Sequence, residues 1–213
     1  MDFALDPARF GIFLVAAAVI ALTPGPGILF VAARTLAGGR TIGFASTIGT
    51  GIGGLVHVAG CAVGLSALML ASAEAFTLAK LAGAAYLIWL GLRGWREASA
   101  PLTLAPSGAP GGRLAALRDG AAVEALNPKT AAFFLAFLPQ FADPAGALAP
   151  QLVALGLVSV LLNTAVDAVV VVLAARMLAA AARRTNLLRR LRRASAAMLC
   201  GLGAALAFAR RPG

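Results

Sequence analysis

Long apolar runs alternate with short polar or basic stretches along almost the whole chain. A membrane-spanning helix needs about 20 mainly apolar residues, and six runs near that length follow one another. They cover about residues 9–33, 41–71, 76–92, 117–138, 148–175 and 194–209, and we label them TM1 to TM6. Because the connections are short, the pattern predicts an all-α integral membrane protein with six transmembrane helices and one membrane domain over residues 1–213.

The composition supports the same class. Of the 213 residues, 61% are hydrophobic and only 12% are charged, whereas a soluble domain is about half apolar and about a quarter charged. A chain of this size cannot hide so much apolar surface in its own core, because a small domain has a large surface for its volume. We therefore expect the lipid bilayer to be its solvent, and we do not expect an enzyme.

The net charge of +10 comes almost entirely from arginine. The basic residues fill the gaps between apolar runs, which is typical of a topology signal and not of a nucleic-acid-binding face. The basic connections carry Arg34 and Arg40; Arg93, Arg96, Arg113 and Arg118; and Arg176, Arg183, Arg184, Arg189, Arg190, Arg192 and Arg193. Since cytoplasmic loops are enriched in Lys and Arg, we expect these connections to be cytoplasmic and both termini to lie outside.

The two halves of the chain share a short signature. The segment L-T-P-G at residues 22–25 is followed by Phe30, and L-N-P-K at residues 126–129 is followed by Phe134. With three runs per half, the second half must insert upside down relative to the first, which is the inverted-repeat layout of many secondary transporters. The pattern predicts a first repeat over about 1–97, a linker over about 98–113 and a second repeat over about 114–213.

Both signatures are expected to break their helices, in TM1 and in TM4. Proline removes a backbone donor, and in lipid the freed polar groups must find partners within the protein. Two breaks meeting near the middle of the membrane would offer carbonyls to an ammonium group and helix N-termini to a carboxylate, as a zwitterionic amino acid requires. The predicted substrate-binding residues at the breaks are Thr23, Pro24, Gly25, Pro26, Asn127, Pro128 and Lys129. The alternative is that both prolines only kink their helices for packing.

Charged residues at bilayer depth are few, and each needs a reason because inserting a charge into lipid is costly. Lys129 is expected to need an acidic partner, and Asp167 in TM5 is the candidate. Asn163 lies one helical turn before Asp167 and shares its face, so both join the predicted substrate-binding residues. An ion pair between Lys129 and Asp167 would serve transport or would only join TM4 to TM5, and the sequence favours neither.

Three residues are candidates for carrying a proton: Asp167, Glu124 and His57. Glu124 either faces the same cavity as Pro128 or lies nearer the cytoplasmic mouth and is simply hydrated, and the second interpretation is slightly favoured. For His57, hydrogen-bonded packing is favoured over a proton relay. No second His or Cys stands at the spacing of metal ligands, so no metal and no cofactor are expected.

TM2 is rich in glycine. Gly49 with Gly53, and Gly60 with Gly64, form small-x-x-x-small pairs, which allow two helices to approach closely in a membrane. Close packing is the predicted role of both pairs, and sliding between packed helices during transport is the sharper alternative.

Several motifs resemble the LysE/RhtB translocators, bacterial exporters of lysine, threonine, homoserine and related amino acids. The resemblance is carried by P-G-P at residues 24–26, A-R-T-L-A-G-G-R-T-I-G-F at 33–44, A-G-A-A-Y-L-I-W-L-G at 82–91 and, most strongly, L-N-P-K-T-A-A-F-F-L-A-F-L-P-Q-F at 126–141. It implies export of an amino acid across the bacterial inner membrane, driven by proton exchange, and a three-plus-three inverted repeat of helices.

The sequence departs from the family pattern at two places. Gly27 stands where the family often has an acid or an amide after P-G-P. The family also commonly has a polar or acidic residue near the middle of TM2, where this sequence reads G-I-G-G-L-V-H and offers His57. The class of substrate side chain is therefore left open. The expected partners are a small amino-acid substrate and the lipid bilayer, with no nucleic acid, and a homo-oligomer is left open.

Two other functions share parts of this pattern. A membrane thiol–disulfide relay would need cysteines near the breaks, whereas Cys61 and Cys200 lie elsewhere, so it is strongly disfavoured. A non-transporting scaffold or assembly factor stays as the alternative to an exporter. The scaffold predicts no solute-sized cavity between the breaks, whereas the exporter predicts one lined by Pro24, Asn127, Lys129 and Asp167.

Overall fold

Helices account for all regular structure in the described part of the chain. The structure is a computed structural model that describes residues 7–65, 73–97, 112–143, 145–177 and part of 193–208. The helices are α1 (Pro7–Leu22), α2 (Pro26–Gly60), α3 (Ala73–Glu97), α4 (Gly112–Ala125), α5 (Pro128–Ala132) and α6 (Leu148–Met177). A π-helical segment, Cys61–Leu65, extends α2, and α5 is extended by a second one, Phe133–Phe137, and by the 3-10 turn Leu138–Phe141.

The helices are apolar enough for a membrane. Among the described residues, Pro26–Gly64 and Leu148–Ala174 are long and apolar enough to cross one, and Gly112–Ala125 with Pro128–Phe141 qualifies as a third stretch if the bent pair is one span. This finding fits the predicted class of an all-α membrane protein.

Polar and apolar side chains are distributed in the reverse of a soluble protein. Val15 and Leu161 expose 66% and 68% of their surface, whereas Glu124, Lys129 and Asp167 expose 5–7%. In water, charged side chains are almost never buried unless paired, and large apolar ones are mostly inside. A lipid environment accounts for both observations, because it favours apolar side chains on the outer surface.

The first helix break separates α1 from α2. Helix α1 ends at Leu22 and α2 begins at Pro26. Pro24 and Pro26 have no amide hydrogen, so they cannot donate to the carbonyls one turn before them. Pro26 is the first residue of α2, the helical position where proline is best accepted.

The second break separates α4 from α5, and these helices are inclined at 40° to each other. Pro128 opens α5, as Pro26 opens α2. Asn127 caps α5, because its side-chain oxygen accepts a hydrogen bond of 3.1 Å from the amide of Lys129. This cap satisfies one of the amides that a helix start leaves without an intrahelical partner.

Helix α2 turns back on itself at Gly39. The φ of Gly39 is 75°, a conformation that glycine adopts without steric cost. Along a straight helix Gly27 and Gly53 would lie about 39 Å apart, yet the position of a side chain at either glycine lies next to Glu124. The predicted loop L-A-G-G-R is therefore a tight turn between two arms of α2, residues 26–38 and 40–60.

The second arm of α2 packs directly on the backbone of α4. A methyl group on Gly49 or Gly53 would collide with the carbonyls of Leu117 or Ala121. The packing prediction is confirmed for this pair of glycines. For Gly60 and Gly64 it stays a prediction, because no described atom lies within 4 Å of the side-chain position at either glycine.

Arg34 does not lie in a connecting loop, so its predicted place in the connection between TM1 and TM2 is wrong. It belongs to the first arm of α2, exposes 7% of its surface and forms an ion pair with Asp119 of α4. The ring of Phe30 lies 5.3 Å from its guanidinium. Because a buried cation needs such partners, the pair ties this arm of α2 to α4. The predicted linker and the basic stretch over 183–193 fall almost wholly outside the described residues.

Phenylalanine rings pack between α1 and the segments that extend α5. The ring of Phe13 lies 5.6 Å from that of Phe141, and Phe137 lies 5.3 Å from Phe141 and 5.5 Å from Phe133. Ring pairs at these separations add to the stability that burial gives. We call Phe13, Phe133, Phe137 and Phe141 the aromatic cluster.

Candidate functional site

A small polar chamber lies next to the second helix break. Its walls come from both arms of α2 and from the end of α4, from α5 and its extension, and from α6. The lining residues are Gly27, Ile28, Thr50, Gly54, Glu124, Asn127, Lys129, Thr130, Phe134, Val160, Asn163, Thr164 and Asp167. The chamber has a volume of about 20 Å³, which is room for about one water molecule. This conformation therefore holds no solute of amino-acid size.

Lys129 connects the two helix breaks. Its Nζ donates hydrogen bonds to the backbone carbonyls of Ile20 and Thr23, at 3.0 and 2.9 Å. Gly25 leaves room for this side chain, because a Cβ there would lie 3.2 Å from the last two carbons of Lys129. The carbonyls at the first break, which the sequence offered to a substrate ammonium, are thus occupied by an ammonium of the protein itself.

Glu124 is buried and fully hydrogen-bonded, so its favoured interpretation as a hydrated carboxylate is wrong. It exposes 7% of its surface. Its Oε2 accepts from Asn127 Nδ2 at 2.8 Å, and its Oε1 accepts from Thr130 Oγ1 at 2.6 Å. Asn127 therefore has two roles, since its oxygen caps α5 while its amide nitrogen binds Glu124.

The absence of a side chain at Gly27 gives Glu124 its position. A Cβ on Gly27 would lie 2.6 Å from Glu124 Oε2. The acid that this sequence lacks at residue 27 of α2 is therefore replaced in the structure by the carboxylate of Glu124, which comes from α4 and lies beside Gly27. Because Gly27 is the second residue of α2, the carboxylate of Glu124 lies near a helix N-terminus, where negative charge is favoured. No side chain caps this helix start.

Asp167 faces the chamber from α6 and exposes 5% of its surface. Its Oδ2 accepts a hydrogen bond of 2.7 Å from Thr50 Oγ1. The same hydroxyl lies 2.9 Å from the backbone carbonyl of Thr47. A hydroxyl has one hydrogen and can donate to only one of these oxygens at a time.

Lys129 and Asp167 do not form the direct ion pair that the sequence suggested. Both residues are described, and the ammonium of Lys129 binds the carbonyls of the first break while Asp167 binds Thr50. Glu124 and Asp167 line the same chamber as Lys129. With all three groups ionised, these side chains leave the chamber with one surplus negative charge.

Asn163 and Asp167 share the chamber face of α6, together with Thr164. Asn163 donates to the backbone carbonyl of Ser159 at 3.0 Å, and Thr164 donates to that of Val160 at 2.8 Å. These bonds use the hydroxyl hydrogen of Thr164 and one of the two amide hydrogens of Asn163.

The remaining predicted residues lie around the chamber without lining it. Thr23 is buried and donates its hydroxyl to the carbonyl of Val19 at 2.7 Å. Pro24 and Pro26 are absent from the lining, and Pro26 is exposed. Pro128, the first residue of α5, is likewise outside the lining. The prolines therefore act by ending and starting helices.

His57 lies outside the chamber. Its Nε2 donates to the backbone carbonyl of Glu124 at 2.8 Å, and its ring lies 5.7 Å from that of Phe134. This geometry agrees with the favoured interpretation of His57 as a packed, hydrogen-bonded residue. It faces a second cavity of about 290 Å³, lined by Val56, His57, Gly60, Cys61, Gly64, Ala131, Phe134 and Leu135. Phe134 lines both cavities.

Thr50, Thr130 and Thr164 line the chamber, although the sequence pattern did not predict them there. Threonine is common in packed membrane helices, so its presence alone carried no signal. The only indication for Thr50 in the sequence was its place three residues before Gly53, in the glycine-rich part of TM2. The two thiols lie apart from the chamber lining and bind separate carbonyls, Cys61 that of Phe134 and Cys200 that of Ile88, at 3.6 Å each.

Comparison with known proteins agrees with the resemblance found in the motifs. The chain is 37% identical over 154 residues to an uncharacterized membrane protein of Vibrio cholerae, covering 72% of this chain and 75% of the relative. It is 35% identical over 158 residues to the homoserine/homoserine lactone efflux protein of Salmonella typhimurium, covering 72% and 74%. A leucine efflux protein of Enterobacter is 29% identical over 141 residues, covering 64% and 67%.

No solved structure matches the chain. The family described as LysE type translocator matches residues 18–210. This match takes in both helix breaks and every residue that lines the chamber. The chain belongs to the LysE type translocator family.

Proposed function

We propose that this protein exports amino acids or closely related small metabolites across the bacterial inner membrane by proton antiport. The observation that carries the proposal is the chamber, where charged and hydrogen-bonding side chains from both halves of the chain are buried among apolar helices beside a helix break. Ionisable residues inside a membrane protein commonly mark a solute or proton pathway. The efflux of homoserine and leucine named for the relatives supports the same activity.

Six transmembrane helices in two inverted three-helix repeats are the architecture we propose. TM1 consists of α1 and the first arm of α2, and TM4 of α4 and α5 with its extensions. The matching helix starts at Pro26 and Pro128 support this pairing. The basic connections face the cytoplasm, and both termini lie outside.

The substrate class is that of homoserine-, threonine- or lysine-like amino acids. An α-ammonium group suits the surplus negative charge of Glu124, Asp167 and Lys129 in the chamber. The carboxylate suits the uncapped start of α2, where the residues Gly27 and Ile28 line the chamber. The names of the relatives favour the neutral members of this class.

Asp167 is the group that binds the proton and the substrate in turn. When Asp167 is ionised, the hydroxyl of Thr50 donates to it. When Asp167 is protonated, its own hydrogen can bind Thr50, whose hydroxyl then donates to the carbonyl of Thr47. Because Thr50 serves both states by rotating one bond, a proton can arrive and leave without unsatisfied groups.

Glu124 is the more fully bound carboxylate of the chamber. Its two oxygens accept from Asn127 and Thr130, whereas the described hydrogen bond of Asp167 is the one from Thr50. A substrate ammonium and a proton therefore compete for Asp167. Competition for one carboxylate couples the two fluxes in opposite directions.

Transport requires further conformations, because a chamber of about 20 Å³ does not hold an amino acid. We propose that the Arg34–Asp119 ion pair and the glycine contact between α2 and α4 form a gate on the side of the Gly39 turn. The aromatic cluster forms the proposed gate on the opposite side. Opening each gate in turn gives alternating access to the chamber.

A non-transporting scaffold is the second candidate, and one observation favours it. A chamber of about 20 Å³ is far below the size of an amino acid, as a scaffold predicts. The two candidates differ in a measurable way, since only an exporter moves solute.

An efflux screen tests the proposal. Cells that express the protein are loaded with dipeptides, and extracellular amino acids are measured for wild type, Asn127→Ala and Asp167→Asn. Asp143→Asn is the matched control, because Asp143 lies outside the chamber lining in a turn where its Oδ1 accepts from the amide of Ala145. We expect efflux from wild type and Asp143→Asn and little from the other two variants. Efflux no faster than in vector control for any amino acid would favour the scaffold.

A further inference from the structure

The carbonyl groups at the end of α1 form an unusual pair. In a continuous helix the carbonyl of Ile20 would accept from the amide of residue 24, and that of Thr23 from residue 27. Residue 24 is a proline and has no amide hydrogen, and the backbone leaves the helix at residues 23–25. Apart from a weak contact of 3.3 Å between the amide of Thr23 and Ile20, both oxygens depend on a donor from elsewhere.

Lys129 supplies that donor from the other half of the chain. Its ammonium lies 3.0 and 2.9 Å from the two oxygens, which are hydrogen-bond distances for a charged donor. The residue exposes only 5% of its surface. The C-terminus of α1 also favours positive charge, because the helix dipole places partial negative charge there.

The site is built for N–H donors attached to a slender chain. Two carbonyls take two of the three ammonium hydrogens, and Lys129 itself lines the chamber. Gly25 shapes the approach, since its missing side chain leaves space for the methylene groups of Lys129. The α-ammonium of an amino acid offers the same three hydrogens, on a carbon that also carries the carboxylate and the side chain.

We propose that the carbonyls of Ile20 and Thr23 form a binding subsite for primary ammonium groups, held by Lys129 in the closed conformation and by the α-ammonium of the solute during transport. This inference rests on the proposed export function for the identity of the second occupant. When Lys129 leaves the subsite, its ammonium can move toward Glu124 and Asp167, which line the same chamber.

The alternative is that Lys129 is a permanent structural link between α5 and α1. A permanent link and an exchangeable occupant make the same contacts in one conformation. They differ when Lys129 is removed, because only a subsite will accept a free ammonium ion of suitable shape in its place.

Chemical rescue distinguishes the two. Lys129→Ala removes the ammonium and the three carbons beyond Cβ, which is the shape of n-propylammonium. Thermal unfolding of the purified variant is measured in detergent with n-propylammonium, with tetramethylammonium, which has the charge but no N–H group, and with n-propanol, which has the shape but no charge. Lys129→Met is the matched control, because its side chain fills the space and leaves no room for the ion.

We expect n-propylammonium alone to raise the unfolding temperature of Lys129→Ala, by about 5 °C or more at roughly one hundred times its dissociation constant. Wild type and Lys129→Met should not respond. If Lys129→Ala is too unstable to purify, the compounds are added before extraction and the recovery of monodisperse protein is compared. Equal recovery or equal stability with all three compounds would overturn the subsite.

Competition tests the second occupant. An amino acid that the efflux screen identifies should displace n-propylammonium from Lys129→Ala, and its N-trimethyl derivative should not. Rescue without such competition would overturn the shared use of the subsite. Because rescue is measured on purified protein, a negative efflux screen alone would refute the export function and leave the ammonium subsite standing.

Discussion

The two helix breaks have related sequences but satisfy their backbones in different ways. At the second break, Asn127 caps α5, and its amide nitrogen binds Glu124 three residues earlier. At the first break no side chain caps α2, and the carbonyls of Ile20 and Thr23 are satisfied by Lys129, more than one hundred residues away. The second break is therefore satisfied mainly by its own residues, with one bond from His57 to the carbonyl of Glu124, whereas the first depends on the ammonium of Lys129 from the other half of the molecule.

This difference makes Lys129 the residue that joins the two halves at their breaks. Its backbone amide belongs to the locally satisfied break and its ammonium to the dependent one. The predictions below test the asymmetry, beginning with the change that should affect the molecule most.

Replacing Lys129 with methionine should produce the largest loss. The change keeps the volume but leaves two buried carbonyls without their donor and two carboxylates without a nearby cation, and we expect about 3–5 kcal/mol of lost stability. Thermal or denaturant unfolding in detergent measures it. Lys129→Arg keeps the charge and should lose less. A stability of Lys129→Met close to that of wild type would mean that the first break does not depend on the second.

Asn127→Ala should cost less, because it affects only the locally satisfied break. The change removes the cap of α5 and one charge-assisted bond to Glu124, and we expect a loss of roughly 2–3 kcal/mol. Unfolding measurements on the same preparation give the comparison with Lys129→Met. Gln140→Ala is a suitable control, since that amide makes only a long bond of 3.4 Å to the carbonyl of Ala136. An order of effects opposite to this one would contradict the asymmetry.

Thr50→Val should have a moderate effect on stability and a larger one on transport. The change removes the hydroxyl that binds Asp167 and should cost about 1.5–2 kcal/mol, as expected for a hydrogen bond to a charged group. Thr50→Ser keeps the hydroxyl and should retain most proton-driven efflux. Efflux is measured in cells with an imposed proton gradient. Equal efflux for the valine and serine variants would exclude Thr50 from proton exchange.

Replacing Gly25 or Gly27 at the first break with alanine should give the smallest losses of stability, and the two losses should differ. A Cβ on Gly27 would lie 2.6 Å from Glu124 Oε2, a carboxylate held by two bonds, whereas a Cβ on Gly25 would lie 3.2 Å from the flexible Lys129 chain. We expect a loss of about 1 kcal/mol for Gly27→Ala and less for Gly25→Ala, since overpacking costs depend on what can move. Unfolding temperatures of the pair test this order.

The membrane class and the helix boundaries near the prolines were open to prediction, because each depends on local chemistry. Apolar runs need lipid, and Pro24, Pro26 and Pro128 cannot continue the hydrogen bonding of the preceding turn. The list of charged residues at bilayer depth was also informative, since Glu124, Lys129 and Asp167 all line the chamber.

The partners of those charges were predicted less well. The sequence suggested that Lys129 would pair with Asp167, because a side-chain cation at bilayer depth was expected to need an acidic side chain. In the structure the carbonyls freed by Pro24 compete for the ammonium, and they bind it at hydrogen-bond distance. The predicted position of Glu124 was also wrong, because the space that its carboxylate occupies is left by Gly27 on a different helix.

The sequence by itself determined that the chain is a helical membrane protein, that its helices are interrupted near residues 24 and 127, and which few charged groups it buries. These properties follow from composition and from the chemistry of single residues. Only the tertiary structure decided that Lys129 fills the carbonyls of the first break, that Thr50 serves Asp167 and that Glu124 lies against Gly27. A sequence shows which groups lack partners, whereas the partner is chosen by the packing of helices distant in the chain.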